Sequence, residues 1–584
     1  MSTTPFTFVA DEAAVEKAVE AISRHAVVGV DTETTGLDPL RSRVRLLQIA
    51  TPEHSFVIDL FQVRALEHTG LRGLLSSSEQ LKTFHNAKFD LKMLLHHFGL
   101  EVRGVFDTLL ASQLIGAGRS EGGHGLAAVT DRHLGEVIDK SMQMSDWSGP
   151  LSQAQQEYAA KDASLLLPLG AKLAAKLDEL NLNEVAKLEF ECVLPLAAME
   201  LAGMAIDQNC WLELVANLER AHEILSAELR GELAAGVPQL NLFGEPPNIN
   251  LDSPAQVMDA LALMGIKVEG TRSWQLQALA KEHSPIAKLL EYRSVQKLLS
   301  SYGPSMLGFI HPVTRRLHAD FRQMGATGGR MSCSDPNLQQ VPNTPEYRKC
   351  FRVSEGRKLV IADYSQIELR ILADWSQDTA LVKALMSGED LHCATASQMF
   401  GIELEQVSKT QRAAAKQLNY GIMYGLGAPG LASRIDCSAE EAEGLLRKYF
   451  AAYSGVAAFL REAADRAVRD RECRTRSGRL IYFSYDANDR SQVAATQRLG
   501  KNAPIQGSSA DIIKRALALL YDALKPLDAR IVNCVHDEIV VEVAQAQASQ
   551  CASVLEREMV AAARDFIRSV PVTVDVMVGD AWLK

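Results

Sequence analysis

The chain has 584 residues, 47% of them hydrophobic and 23% charged, which indicates a globular protein of several domains. No apolar run reaches 18 residues and the first residues do not resemble a signal peptide, so neither a membrane span nor a secretory leader is expected. The net charge of −11 argues against a nucleic-acid partner, although five arginines cluster within residues 469–479. Nine cysteines without a CxxC pair predict reduced thiols in a cytoplasmic protein rather than disulfides.

The predicted elements divide the chain into three stretches. Up to about residue 185, strand-like runs such as AVVGVD and VRLLQIA alternate with helical stretches, which predicts an α/β unit. A mainly helical region follows from Leu188, and residues 234–254 are predicted to interrupt it as a loop because they are rich in Pro, Gly and Asn. From Leu359 onward, the pattern predicts a strand, a long helical stretch, a β-hairpin, and a final helix and strand.

The run VVGVDTETTG places Asp31 and Glu33 at the end of an apolar strand. Because side chains alternate along a strand, both carboxylates are expected on the same face. Two adjacent anions at a buried strand end are costly unless a cation neutralises them, which favours a divalent metal site. A pair of surface acids at a turn is the alternative that these two residues alone leave open.

Two later segments add carboxylates at helical spacing. HNAKFDLKMLL places Asn86 and Asp90 one turn apart, and YAAKDASLL places Tyr158 and Asp162 one turn apart on a helix with an apolar face. With the strand-end pair they supply four carboxylates, which can hold two Mg²⁺ or Mn²⁺ ions through oxygen ligands. Paired metals can clamp the attacking and leaving oxygens of a phosphodiester, and the Tyr158 hydroxyl can orient the attacking water.

In this order and spacing, DTE, NxxxD and YxxxD resemble the three motifs of the DEDDy 3′→5′ exonucleases, with every acidic position filled. The resemblance implies an RNase H-like fold and an active proofreading nuclease. It also implies that Asn86 contacts DNA. By the same resemblance Leu37 wedges against the terminal base, although a core leucine would look the same.

A second pair of acids lies in the last third of the chain. KLVIADYSQIELR predicts a buried strand that ends at Asp363, followed by a helix that carries Glu368. RIVNCVHDEIVVEV predicts two apolar strands joined through His536, Asp537 and Glu538. Charged residues between apolar strands favour a second two-metal site, formed by Asp363 and Asp537 at neighbouring strand ends. For either residue alone, an unrelated strand-end acid is the alternative.

Between these acids, RAAAKQLNYGIMYG repeats cations and phenols every four residues. Arg412, Lys416, Tyr420 and Tyr424 are predicted to lie along one stripe of a helix, because a step of four advances about 400°. A nucleoside triphosphate carries about four negative charges, so the two cations suit its phosphates and Tyr420 can stack on its sugar or base. A helix with an ordinary charged face does not explain phenols in the same stripe.

Three of these segments together resemble the motifs of family A (DNA polymerase I-like) DNA polymerases: DYSQIELR as motif A, RxxxKxxNYGxxYG as motif B and HDE as motif C. TGGRMSCSDPNLQQVP, RLGKNAPIQGSSADIIK and the closing GDAW resemble further segments of that family. The resemblance implies an α/β multidomain chain, with a right-hand polymerase after the exonuclease domain. It implies a monomeric cytoplasmic enzyme of DNA replication or repair that binds primer-template DNA and dNTPs, with two Mg²⁺ or Mn²⁺ ions at each active site.

The resemblance also implies a role for each motif residue. Asp363 and Asp537 are implied as metal ligands with Glu538 in support, and Lys416 as a phosphate contact and candidate general acid for the pyrophosphate. Glu368 is implied as the steric gate that excludes a ribose 2′-OH. The remaining implied contacts are to the nucleotide and primer end for Arg412, Tyr420, Gln366 and His536, and to DNA for Arg330, Tyr424, Arg498, Asn502 and Gln506.

The expected boundaries follow from the same motifs. Residues 1–187 are expected to form the exonuclease domain and residues 188–584 the polymerase domain. Within the latter, the thumb is expected at about 188–325, the palm at about 326–372 and 498–584, and the fingers at about 373–497. The family's usual TGR segment reads TGGR here, at residues 327–330. No 5′ nuclease sequence precedes the exonuclease motifs, so flap cleavage is not expected.

Two other functions compete with a proofreading polymerase. A nuclease of the RNase D type with an accessory C-terminal domain leaves the three polymerase motifs unexplained. A silent DNA-binding or clamp-like module is expected to have lost one of Asp363, Lys416 or Asp537, and all three are present.

Overall fold

The computed structural model describes residues 5–119, 122–138, 142, 145–235 and 249–583, so most of the loop predicted at residues 234–254 lies outside the described residues. The chain divides into two compact units. One comprises Met1–Gly203, Ala319–Ser334 and Gly356–Val578, and the other comprises Met204–His318, Asp335–Glu355 and Gly579–Lys584. Across the described ranges, no helix combines the length and apolar character needed to span a membrane.

The first 203 residues build a mixed six-stranded sheet, in the order β1-β4-β3-β2-β5-β6, with seven helices in the described ranges. The strands are β1 (Phe6–Val9), β2 (Val27–Thr34), β3 (Val44–Ala50), β4 (Ser55–Asp59), β5 (Leu81–Phe84) and β6 (Val105–Asp107). The helices are α1 (Glu12–Ile22), α2 (Thr69–Ser76), α3 (Ala87–Phe98), α4 (Thr108–Gly116), α5 (Leu126–Leu134), α6 (Gln153–Glu179) and α7 (Asn183–Ala202).

Strand β2 lies inside this sheet, antiparallel to β3 and parallel to β5. Its apolar residues Val28 and Val30 are fully buried in the core, which explains why an uninterrupted hydrophobic run precedes the acidic motif. The sheet with its surrounding helices confirms the predicted α/β unit.

The smaller unit is mainly helical, as the sequence from Leu188 onward predicts. Its elements are β7 (Met204–Ala205), α8 (Gln208–Ala235), α9 (Pro254–Leu263), α10 (Ser273–Leu276), α11 (Ser284–Tyr302), β8 (Arg316–Leu317) and α12 (Pro345–Arg348). Helices α8 and α11 pack together around a core that includes Leu229, Ile286 and Leu289.

A disulfide joins Cys210 at the start of α8 to Cys350, just after α12. The prediction that all cysteines are reduced thiols is therefore wrong. The two cysteines are 140 residues apart in sequence, and the fold brings their Cα atoms to 5.3 Å. Sequence spacing gives no indication of a pairing made this way.

The rest of the larger unit has a four-stranded sheet in the order β14-β15-β11-β16 and a set of helices. The strands β9 with β10 and β12 with β13 form two further two-stranded sheets. The strands of this part of the unit are β9 (Asp320–Arg322), β10 (Ser332–Ser334), β11 (Arg357–Tyr364), β12 (Glu472–Arg474), β13 (Leu480–Tyr482), β14 (Ala529–Val535), β15 (Glu538–Ala544) and β16 (Val574–Gly579). Its helices are α13 (Ile367–Ser376), α14 (Thr379–Ser387), α15 (Leu391–Phe400), α16 (Lys409–Gly421), α17 (Ala428–Ile435), α18 (Ala439–Ala452), α19 (Ser454–Asp470), α20 (Arg490–Ala523) and α21 (Ala548–Arg564).

Candidate active sites

The first group of carboxylates forms where α6 comes very close to β2. A Cβ added at Gly29 on β2 would lie 2.2 Å from the carbonyl oxygen of Ala163 on α6, so only glycine permits this approach. Asp162 immediately precedes Ala163, and the approach brings its carboxylate within electrostatic range of Asp31 and Glu33 on β2. Asp90 joins them from the first turn of α3, where it accepts a 2.5 Å hydrogen bond from the Thr32 hydroxyl.

Burial raises the pKa values of three of these carboxyl groups, and repulsion within the group adds to the shifts of Asp31 and Glu33. For Asp31 burial is the largest cause, followed by the charges of Asp90, Glu33 and Asp162, and its pKa lies well above the usual range. Burial and the charges of Asp162 and Asp90 raise the pKa of Glu33 to about 8. Burial raises the pKa of Asp90 to about 7. The predicted set of four carboxylates therefore converges.

The donor set fits a divalent cation. Within the described ranges, no three His, Cys, Asp or Glu side chains are already arranged as a closed ligand group. The carboxylates nevertheless repel one another in a buried place, so either a proton or a cation lowers their energy. Oxygen-only donors with this charge suit Mg²⁺ or Mn²⁺.

Three other residues were predicted to belong to the exonuclease site: Tyr158, Leu37 and Asn86. Burial and the charge of Asp162, to which its hydroxyl is hydrogen-bonded, raise the pKa of Tyr158, so the phenol stays protonated. Leu37 is 82% exposed rather than part of the core. Asn86 is exposed and directly precedes α3 in a left-handed conformation (φ 64°). The spacing predicts Asn86 on the same helix as Asp90, and this prediction is wrong because the helix begins at Ala87.

Asp107 at the end of β6 is a supporting residue that sequence reasoning missed. Its carboxylate accepts hydrogen bonds from the backbone N–H groups of Asn86 at 3.0 Å and Ala87 at 2.8 Å, and it also caps α4. It therefore anchors the start of α3, the helix that carries Asp90. Its sequence context, an acid that ends an apolar strand, is the same signal that marks Asp31.

The second site forms at one edge of the four-stranded sheet. His536 and Asp537 make the two-residue turn between β14 and β15, and His536 has the positive φ (55°) that such turns require. In the antiparallel pairing of β11 with β15, Asp363 lies opposite Glu538. The backbone N–H of Tyr364 donates to the Asp537 carbonyl at 3.3 Å. The predicted hairpin is confirmed, and it brings Asp363 beside Asp537.

Helix α16 places Tyr420 near this edge. Burial is the main cause of the raised pKa of Tyr420, and the charges of Asp537, Glu368 and Asp363 add to it. Tyr420 therefore lies within electrostatic range of both predicted metal ligands. Arg412 is exposed on the same helix.

The prediction that Tyr424 lies on the same helix as Arg412, Lys416 and Tyr420 is wrong. Helix α16 ends at Gly421, and Gly425 adopts a positive φ of 70° in the turn that follows. The Tyr424 hydroxyl donates to Glu368 Oε2 at 3.0 Å and accepts from Gln506 Nε2 at 3.2 Å. Tyr424 thus contacts the predicted steric gate instead of extending the helix face.

Two further residues contact the stripe on α16, and sequence reasoning missed both. Asp390 is the N-cap of α15, and His392 lies in the first turn of that helix. Asp390 accepts hydrogen bonds from Arg412 Nε at 3.0 Å and Nη2 at 2.7 Å, and the guanidinium helps to lower the pKa of Asp390 to about 2. His392 lies with its ring centroid 5.9 Å from that of Tyr420, and burial lowers its pKa, with further lowering from Arg412 and Lys416. Neither residue has a helical spacing from the stripe, so sequence periodicity could not find them.

Comparison with known proteins finds two matching families along the chain. The sequence profile described as DNA polymerase family A matches residues 219–584, and the profile described as 3′-5′ exonuclease matches residues 6–178. The chain belongs to DNA polymerase family A. The order of the two matches confirms the predicted exonuclease domain followed by a polymerase domain.

Named relatives of this family A polymerase include two bacterial proteins called DNA polymerase I. That of Aquifex aeolicus is 32% identical over 611 residues, which cover 99% of this chain and 100% of the relative. That of Pseudomonas aeruginosa is 31% identical over 615 residues, which cover 99% of this chain but 66% of the relative. A solved structure, the POL domain of Pol1 from M. smegmatis in complex with DNA primer-template and dNTP, has a TM-score of 0.84, 28% identity and 99% coverage of each chain.

The remaining predicted contacts of this family A polymerase lie around the second site. Arg330 is exposed. Burial lowers the pKa of His536 and raises that of Glu368, and the charge of Arg330 acts to lower both. Gln366 precedes α13 in a left-handed conformation (φ 57°). Three more lie four residues apart on α20, and therefore along one face of it: Arg498, Asn502 and Gln506.

Proposed function

We propose that this family A polymerase adds dNTPs to a primer 3′ end at Asp363 and Asp537 and removes mispaired 3′ nucleotides at the exonuclease carboxylates. The observation that carries the first half is that Tyr420, on the same helix as Arg412 and Lys416, lies in the electrostatic field of Asp363 and Asp537. Phosphoryl transfer needs cations for the triphosphate beside anionic metal ligands, and this arrangement supplies both.

Each residue of α16 has a separate task in this proposal. Arg412 and Lys416 hold the triphosphate, and the Lys416 ammonium can give a proton to the departing pyrophosphate. Asp390 fixes the direction of the Arg412 guanidinium through two hydrogen bonds to one carboxylate oxygen. Tyr420 packs against the sugar of the incoming nucleotide.

The acidic groups are proposed to hold two Mg²⁺ or Mn²⁺ ions at each site. Asp363 and Asp537 would be ligands at the polymerase site, with Glu538 in support. The ligands at the exonuclease site would be Asp31, Glu33, Asp90 and Asp162. When bound, such ions neutralise phosphate charge and favour formation of the attacking oxyanion.

Glu368 is proposed to exclude ribonucleotides. Its carboxylate accepts a hydrogen bond from Tyr424 at 3.0 Å and is half-buried, so it cannot move freely away from the nucleotide sugar. A ribose 2′-OH would have to displace this held side chain.

At the exonuclease site the protonated Tyr158 hydroxyl is proposed to orient the attacking water. Asn86 and the exposed Leu37 would contact the 3′-terminal nucleotides. The raised pKa of Tyr158 supports this task, because a protonated phenol can donate one hydrogen bond and accept another.

Primer-template DNA is the proposed partner. Arg330 would contact the minor groove of the nascent duplex, and Gln366 and His536 the primer end. Tyr424, Arg498, Asn502 and Gln506 would line the template and primer path. The solved relative, described as a complex with primer-template and dNTP, supports this assignment. A cytoplasmic monomer, with the domain boundaries expected above, completes the proposal.

Extension of a primer with either a matched or a mismatched 3′ end tests both activities in one reaction. We expect immediate extension of the matched primer, and removal of the mismatched nucleotide before extension of the other. Extension through the mismatch without removal would contradict the proofreading half, and degradation of both primers without extension would contradict the polymerase half.

A further inference from the structure

We propose that Lys514 and Arg479 are positioning residues that hold the loop carrying Arg330 in the conformation needed at the primer terminus. The inference rests on the proposed contact of Arg330 with DNA. It concerns two cations that the motifs leave without a role, on α20 and just before β13. Neither is among the proposed metal ligands or nucleotide contacts, and Lys514 bonds directly to the loop.

The loop has a backbone that few residues can adopt. Gly328 and Gly329 have positive φ angles of 77° and 80°, and the Ala326 N–H closes the loop by donating to the Arg330 carbonyl at 3.0 Å. A Cβ at Gly329 would lie 2.5 Å from the Arg479 guanidinium carbon. The glycine directly before Arg330 is thus required both by its φ and by the packing of Arg479.

Four charged side chains lie beneath this loop: Glu189 on α7, Arg479, and Asp511 and Lys514 on α20. We call them the buried quartet. Each is at most 3% exposed, and the charges balance, with two carboxylates and two cations. The carboxylate of Glu189 bridges both cations, and Arg479 Nη2 also lies 2.6 Å from Asp511 Oδ1.

One bond connects the buried quartet to the loop. Lys514 Nζ, 2.5 Å from Glu189 Oε1, also donates to the carbonyl oxygen of Gly329 at 2.7 Å. That carbonyl belongs to the peptide bond that leads into Arg330. Its orientation therefore sets the direction in which the exposed Arg330 side chain leaves the backbone.

A purely structural role explains less of this arrangement. Well-packed apolar side chains can stabilise a core as well as a buried charge network does, so stability alone does not call for four charges here. The ammonium of Lys514 binds the carbonyl of a glycine with positive φ, one residue before an exposed arginine. That arginine lies within electrostatic range of His536 and Glu368 at the polymerase site.

A double-mutant cycle between Lys514→Met and Arg330→Ala separates positioning from stability. We expect each single variant to lower kcat/KM for extension of a matched primer by tenfold or more. The kcat/KM of the double variant is expected to lie within about twofold of that of the less active single variant, because Lys514 acts through Arg330. Removal of 3′ nucleotides from single-stranded DNA by the same chain serves as the check that each variant is folded.

Two further variants keep the test decisive. Glu189→Gln combined with Lys514→Met is a charge-balanced variant, because only the pair of Arg479 and Asp511 keeps its charge. We expect this variant to lose as much kcat/KM as Lys514→Met when it replaces that variant in the cycle. It serves if Lys514→Met alone folds poorly. Arg515→Met is the matched control, because it removes the next cation on α20, whose ion pairs are with Glu191 and Asp565 at the surface. Its polymerase activity is expected to stay within twofold of the wild type.

The inference is overturned if the kcat/KM losses of Lys514→Met and Arg330→Ala multiply when the two are combined. It is also overturned if the charge-balanced variant extends primers as well as the wild type. If Arg330→Ala alone has no effect, the proposed DNA contact of Arg330 fails and the inference fails with it. Multiplying losses with a large Arg330→Ala effect would overturn only the positioning role. The proposed function and the further inference are thus distinguished.

Discussion

Replacing Gly29 with alanine should remove exonuclease activity and leave polymerase activity in place. The new Cβ would lie 2.2 Å from the Ala163 carbonyl oxygen, whereas ordinary contact begins near 3.4 Å, so α6 must withdraw from β2 by about 1 Å. Asp162 and Tyr158 move with α6, away from Asp31 on β2. A displacement of about 1 Å at a catalytic group costs on the order of 100-fold in rate.

Single-turnover removal of a mismatched 3′ nucleotide measures the first effect, and extension of a matched primer measures the second. Gly73→Ala is the matched control, because Gly73 lies on the exposed side of α2 and its Cβ would meet nothing within 4 Å. We expect that variant to keep full exonuclease activity and to gain roughly 0.5–1 kcal/mol of stability from helix propensity. Gly29→Ala with wild-type exonuclease activity would refute the argument that the close approach of α6 positions Asp162.

Three other predictions concern the polymerase site. Tyr420→Phe should discriminate against dideoxynucleotides about fivefold more than the wild type, because a phenol can replace the hydrogen bond of a missing 3′-OH; equal selectivity in a dideoxy-to-deoxy competition would contradict this. Glu368→Ala should raise the kcat/KM ratio of ribonucleotides to deoxynucleotides by about 10- to 200-fold, and an unchanged ratio would exclude the gate. Primer-template affinity should fall steeply with rising salt in a binding titration, and a flat response would show that the arginine clusters do not contact phosphates.

Much of the exonuclease site could be predicted because each part carries a local signal. Asp31 and Glu33 end an apolar strand, and Tyr158 and Asp162 lie one turn apart on an apolar helix. Asn86 was placed wrongly because a left-handed residue interrupts the helical spacing just before α3. Sequence periodicity assumes continuous α-helical geometry and cannot detect that change.

The polymerase site shows a second limit. Tyr424 lies three residues beyond the end of α16, yet its spacing of four suggested the same helix face. His392 and the bond between Asp390 and Arg412 depend on how α15 packs against α16. The buried quartet and the pair of Cys210 with Cys350 join residues far apart in sequence. Contacts of this kind follow from tertiary packing and have no local pattern.

The most direct test of two separate active sites is a pair of substitutions assayed side by side. Asp537→Ala should abolish primer extension and leave mismatch removal unchanged, because it removes a predicted polymerase ligand and lies outside the carboxylate group of the exonuclease. Asp31→Ala should abolish mismatch removal and leave extension of a matched primer unchanged. Loss of the same activity in both variants would contradict the account.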